Sequence, residues 1–302
     1  MKKIQDRLAP LVSIIMNCYN GQKYLREAVQ SVINQTYKNW EIIFWDNQSK
    51  DKSSQILKSF KDKRIKYFKS KNFSKLYNAR NLAINKAKGK FISFLDVDDY
   101  WINTKLEKQI DLFNKEKNLI LVYSNVFILN DSNKSYKIFA KDTLPSGKIT
   151  QNLLSNYRMP VITTILKKSL FTKIKFKSNY EIIGDFDFFT KLSLKGLFGP
   201  IQEPLAYYRI HEKNTSKTKI DLFIKEFNLW INEKKNLGLF KNYNLDGVFS
   251  QIQILKIKRY LLKNSKIKEL KEIFKSPISF KKLKFLATLI LPEFIVKKFF
   301  YF

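Results

Sequence analysis

Apolar positions in the first two hundred residues alternate between two periods. Leu11–Met16 is an unbroken apolar run of strand length, and polar Asn17–Gly21 separates it from a segment where Tyr24, Leu25, Ala28, Val32 and Ile33 recur at helical spacing. Trp40–Trp45 is a second strand, and polar Asp46–Ser53 leads into a helix over Gln55–Phe60. Ile65–Phe68 is a short strand, Tyr77–Ala87 a helix closed by Gly89, and Phe91–Leu95 a buried strand ending in Asp96-Val97-Asp98-Asp99. A helix over Thr104–Lys115 and a strand over Leu119–Leu129 follow, then a polar stretch, Asn130–Gly147, that reads as a surface insertion. Val161–Leu166 reads as a strand, Phe186–Leu197 as a helix and Pro204–Ile210 as a last short strand. Strands alternating with helices predict an α/β fold: a Rossmann-like, mostly parallel sheet with helices on both faces. Beyond Lys219 the period is helical, with Leu222, Phe223, Glu226, Phe227 and Trp230 on successive turns. A boundary near Lys213–Lys219 divides a domain over 1–216 from a helical C-terminal region over 217–302.

The 302 residues leave room for such an arrangement, and 44% hydrophobic with 15% aromatic content supports a large core rather than disorder. Charge changes the picture more: 57 Lys and Arg against 26 acids give a net +31. Nucleic acid, an anionic membrane surface or polyanionic substrates are the partner classes that such a balance suits. The cations are spread along the chain, so general composition bias accounts for part of them. Cys18 alone rules out an intrachain disulfide. The charged first ten residues lack a secretory apolar stretch, and no apolar run is long enough to span a bilayer, so a cytoplasmic protein is expected.

In an open parallel sheet, ligands bind at the carboxyl ends of the strands. There the sequence puts Asn17, Tyr19 and Asn20 after the first strand, Asp46 and Asn47 after the second, and Asp96 and Asp98 after the fourth. Any one of these could be a helix cap. Acids and amides at three ends together point to a site. Asp96 and Asp98, two positions apart at a buried strand end, repel each other unless a cation lies near them. Mg²⁺ or Mn²⁺, which take a few carboxylates plus phosphate oxygens and water, suit that arrangement.

At these residues the chain resembles family 2 glycosyltransferases of the GT-A fold. The matching segments are Ser13–Asn20 (SIIMNCYN), Tyr24–Trp40, Glu41–Ser49 (EIIFWDNQS), Asn78–Ala83 (NARNLA), Gly89–Tyr100 (GKFISFLDVDDY), Ile183–Gly196 and Tyr207–Ser216 (YYRIHEKNTS), in order over roughly residues 10 to 216. The resemblance implies sugar transfer from a nucleotide-diphosphate donor, UDP-linked by analogy, to an acceptor hydroxyl with inversion. It also implies a setting in surface polysaccharide, lipopolysaccharide or glycan assembly, with a glycan or lipid-linked acceptor. Carried over, it gives Asn17, Tyr19, Asp46 and Asn47 to the base and ribose, Arg80 to the base or phosphates, and Asp96 to the ribose. Asp98, with Asp96 and His211, would hold a divalent Mn²⁺ or Mg²⁺, and Asp185 would be the general base. Two positions depart from the family pattern: Asn17 stands where proline is usual, and Gly184 where a glutamate usually precedes the aspartate.

Arg209 reads equally as a diphosphate contact or a surface charge, Asp99 as a helix cap, Asp187 as a solvent- or cation-facing acid, and Trp45 as core. Phe285–Val296 is apolar but short, flanked by lysines and followed by Phe299-Phe300-Tyr301-Phe302. It predicts an interfacial segment (280–302) holding the enzyme peripherally on an anionic membrane face. A helix packed on the catalytic domain is the alternative. Two other functional readings stay open at this level, a basic nucleic-acid-binding protein and an inactive GT-A scaffold. The missing RNA or DNA motif speaks against the first, so no nucleic-acid partner is expected, and the retained acids speak against the second.

Overall fold

The computed structural model describes residues 9–263 apart from 213 and 215–217. Val12–Cys18 (β1) and Trp40–Asp46 (β2) are adjacent parallel strands, with Cys18 opposite Asp46. Every residue of β2 is buried, as a strand covered on both faces requires. Ile65–Lys69 (β3) and Phe91–Phe94 (β4) flank them in the parallel order β3-β2-β1-β4. Between these strands run the helices Leu25–Ile33 (α1), Ser53–Ser59 (α2) and Leu76–Ile84 (α3). The ends of β1, β2 and β4 therefore open on one edge of the sheet, where the polar residues were expected.

The second half adds Tyr100–Trp101 (β5), Lys105–Lys115 (α4), Leu119–Asn130 (β6), Tyr136–Ile138 (β7), Thr150–Ser155 (α5) and Ile165–Lys167 (β8). Gly184–Ser193 (α6), Leu197–Ile210 (β9), Ile220–Asn236 (α7) and Asp246–Lys263 (α8) complete the described chain. The sheet continues β4-β8-β6-β9-β5, with β7 paired to β6. Here β9 runs parallel to β6, while β8 and β5 are antiparallel to their neighbours.

Three segments differ from their sequence patterns. Val161–Thr163 is a 3₁₀ turn before β8, because the Thr163 and Thr164 hydroxyls donate to the carbonyls of Pro160 and Val161 (2.7 and 2.8 Å) and close a turn instead of extending a strand. The polar 130–147 stretch contains β7, whose three residues are all exposed and so carry no burial period. β9 begins at Leu197, well before Pro204, and its ladder with β6 absorbs the prolines through register shifts around Asn125.

The core is continuous from the sheet into the C-terminal helices. Trp230 of α7 is fully buried and meets Phe186 of α6 at 5.0 Å, edge to face. Asp187 of α6 is also fully buried, away from solvent. It pairs with Lys191 (2.7 Å) and Lys234 (2.8 Å) and accepts the Trp230 indole N–H at 3.1 Å. No helix among the described residues is long and apolar enough to cross a membrane. The predicted interfacial segment at 280–302 lies outside the described residues.

Candidate active site

At the end of β1 both amide atoms of Asn17 are buried and lack a hydrogen-bond partner. An orphaned buried amide costs about 1–3 kcal/mol, a cost that a bound polar ligand would remove. Tyr19 is 53% exposed, and its ring meets Phe73, 61% exposed, edge to face at 5.0 Å. Two large exposed aromatics at one site offer a planar base a stacking surface. Phe73 sits in a polar loop, and nothing in its local pattern marks it. Asp46 is buried, its oxygens taken by the Ser49 N–H (2.8 Å) and the Tyr67 hydroxyl (2.7 Å). Burial, and then that partnership, push the Tyr67 hydroxyl pKa up. The Asn47 amide is spent on Ser74, donating to its carbonyl (2.7 Å) and accepting its N–H (3.2 Å). Both side chains thus fix the loops beside the site.

Arg80 joins two sides of that site. Its side chain is 3% exposed, and one guanidinium nitrogen lies 2.6 Å from Asp96 Oδ1. Asp185, in the first turn of α6, feels Arg80 as well: burial raises its carboxyl pKa, Arg80 pulls it down, and the net direction is up. The Tyr77 hydroxyl donates to the Ile182 carbonyl at 2.7 Å and sits 3.3 Å from Asp185 Oδ1. Gly184 is where the family usually has glutamate, and the Tyr77 ring explains the change. A Cβ built on Gly184 would lie 2.4 Å from that ring, so no side chain fits there. The hydroxyl of the half-buried Tyr157 is itself out of solvent and faces Asp185; burial first, and then that carboxylate, raise its pKa.

The third cluster forms where β4 gives way to β5. Asp98 Oδ2 is 3.0 Å from His211 Nε2, and the His211 ring stacks on Tyr24 at 5.3 Å. Behind them lies Arg209, a buried brace and not a surface charge. Its Nε donates to the Asp98 carbonyl at 2.9 Å, one terminal nitrogen reaches Asp131 at 3.1 Å, and the other pairs with Glu27. Its backbone N–H donates to Asp99 Oδ1 at 2.7 Å. Asp99 is therefore a buried tie between β5 and β9, its pKa raised by burial and then by Asp98 and Asp96, and not a cap. Asp131 also accepts the Tyr24 hydroxyl at 2.6 Å, so the brace fixes the ring on which His211 stacks.

A divalent cation fits this donor set in one respect: a carboxylate and an imidazole converge, leaving other positions for diphosphate oxygens and water. No group of three or more His, Cys, Asp or Glu ligands occurs among the described residues. Asp96, by its nearest contact, belongs to Arg80.

The parallel β3-β2-β1-β4 unit, with polar residues at its strand ends and a mixed sheet beyond, defines a GT-A glycosyltransferase fold. The chain belongs to the family described as glycosyl transferase family 2, whose model matches residues 13–192. Among relatives, it is 38% identical over 167 residues to the Escherichia coli UDP-Glc:alpha-D-GlcNAc-diphosphoundecaprenol beta-1,3-glucosyltransferase WfgD, covering 55% of this chain and 64% of WfgD, just under two thirds. WfaP, a second E. coli UDP-Glc:alpha-D-GlcNAc-diphosphoundecaprenol beta-1,3-glucosyltransferase, is 31% identical over 240 residues, covering 79% of this chain and 91% of WfaP. In fold, S. aureus TarS 1–349 superposes with a TM-score of 0.58 at 16% identity, covering 92% of this chain and 78% of TarS 1–349.

Proposed function

We propose that the protein transfers a sugar with inversion from a UDP-sugar, UDP-glucose by analogy with WfgD and WfaP, to a hydroxyl of a lipid-linked N-acetylglucosamine diphosphate acceptor. The observation that carries this reading is Arg80, which couples Asp96 at a strand end to Asp185 on α6 within one site. In the reaction, the acceptor oxygen attacks the anomeric carbon as its proton passes to Asp185, and the bond to the diphosphate breaks, releasing UDP. Arg80 favours the charge that grows on the diphosphate. Tyr19 and Phe73 face the base, and Asp46 and Asn47 hold the loops that frame it. Asp98 and His211 would hold a Mn²⁺ or Mg²⁺ ion, which supplies Lewis-acid stabilisation of the leaving diphosphate. Apolar residues and lysines in 280–302 bring the enzyme to the anionic membrane face that carries the acceptor.

The test is transfer from UDP-glucose with Mn²⁺ present or chelated. The parent should lose activity on chelation, and Asp98→Ala should be inactive in both conditions with its melting temperature kept. Parent or Asp98→Ala activity persisting in chelator at the full rate would remove the metal from the account.

A further inference from the structure

The turn ahead of Asp185 is gripped by a residue outside the segment that matches the family. Glu226, on α7, is 3% exposed and pairs with no cation among the described residues, yet its carboxylate accepts three backbone N–H groups in a row. These come from Glu181 (2.7 Å), Ile182 (3.0 Å) and Ile183 (3.1 Å). The three amides belong to the turn that leads into α6, two residues ahead of Asp185. The other side of the same turn is fixed by Tyr77, whose hydroxyl donates to the Ile182 carbonyl and lies 3.3 Å from Asp185 Oδ1. Both the N–H and the C=O of Ile182 are therefore spoken for, one by α7 and one by α3. α7 is itself tied to α6 through Trp230 and Lys234 on Asp187.

From this geometry we infer that Glu226 is a positioning residue for the general base, and that α7 is part of the active site. Three directed acceptors are needed at one point, and an ionised carboxylate meets that need with two oxygens and four lone pairs. Glutamine cannot: its amide nitrogen would face a backbone N–H, and the turn would have to shift. A displacement of about 1 Å at a reacting group costs up to about a hundredfold in rate. Asp185 serves the acceptor, so the shift falls on turnover and leaves donor binding alone. The inference rests on Asp185 being the base.

The experiment compares Glu226→Gln, Glu226→Asp, Asp185→Asn and the double variant Glu226→Gln/Asp185→Asn in the full chain. Turnover, KM for UDP-glucose, Kd for UDP and the pH profile of kcat are measured. Glu226→Gln should lower kcat by about 10- to 100-fold, move the acid limb of the profile, and leave the donor KM and UDP Kd unchanged. Glu226→Asp, which keeps the charge, should fall between it and the parent; if Glu226→Gln does not fold, this variant carries the comparison. In the double variant, loss of Glu226 should add nothing to the loss of Asp185, since the two act through one group. Variants that lose thermal stability but keep the parent kcat and pH profile would overturn the inference while Asp185→Asn stays inactive. An active Asp185→Asn would overturn the base reading, and this inference with it.

Discussion

Asp185 and Asp98 are carboxylates given different work by their surroundings. Burial raises the Asp185 pKa, and Arg80 and the Phe186 backbone N–H, which donates to Oδ1 at 2.8 Å, restrain the rise, whereas Asp98 pairs with an imidazole at the mouth of the site. Asp185→Asn keeps the shape and removes the basic oxygen, so turnover should fall by about two to four orders of magnitude while UDP affinity, measured by calorimetry, stays put. The sign of the pH effect follows. A base works only when deprotonated, so kcat should drop as pH falls through a pKa above the ordinary carboxylate value, and the acid limb should vanish from the residual rate of Asp185→Asn. An acid limb unchanged in that variant would assign it to another group. Asp98 stood out in the sequence because an acid follows a buried apolar run, and Arg80 and Asp185 stood out through the resemblance of their segments to family motifs. Phe73, Tyr77, Asp131 and Glu226 were not, because what marks each is a partner distant in sequence. Tyr77 and Glu226, which grip the same turn, are 149 residues apart by their numbers.

Elements read well where a period of several residues reports burial. β1, β2, β4 and α1 stand within a residue or two of their predicted bounds, since their apolar runs face a core on known periods. β5 and β7 have two and three residues, and what makes them strands is the ladder with β9 and β6. Such pairings leave no local trace. α7 was visible as a helix but not as a component of the site; its place became clear only from Glu226 and Trp230. Trp230→Ala would open a cavity between α6 and α7 and remove one donor from the buried Asp187, leaving it to Lys191 and Lys234. A loss of about 3–5 kcal/mol in denaturant-induced unfolding is expected. A loss below about 1 kcal/mol would mean that α7 contributes little to the core.

At the scale of the whole molecule, the proposed membrane contact would give part of the net charge of +31 a purpose. Basic residues around the apolar 280–302 segment suit an anionic lipid surface, and a lipid-linked acceptor would be found there. The full chain should float with anionic liposomes at low salt and be released at high salt, and a chain shortened to end at Ser279 should stay behind. Equal flotation of both would move the membrane contact elsewhere on the protein. The central claim, direct displacement assisted by a single base, is tested most directly by the anomeric configuration of the first product formed from UDP-α-glucose. Proton NMR of that product should show a β-linked glucose, formed by the parent and lost in Asp185→Asn. An α-linked product would mean retention, and one base with one displacement could not have made it.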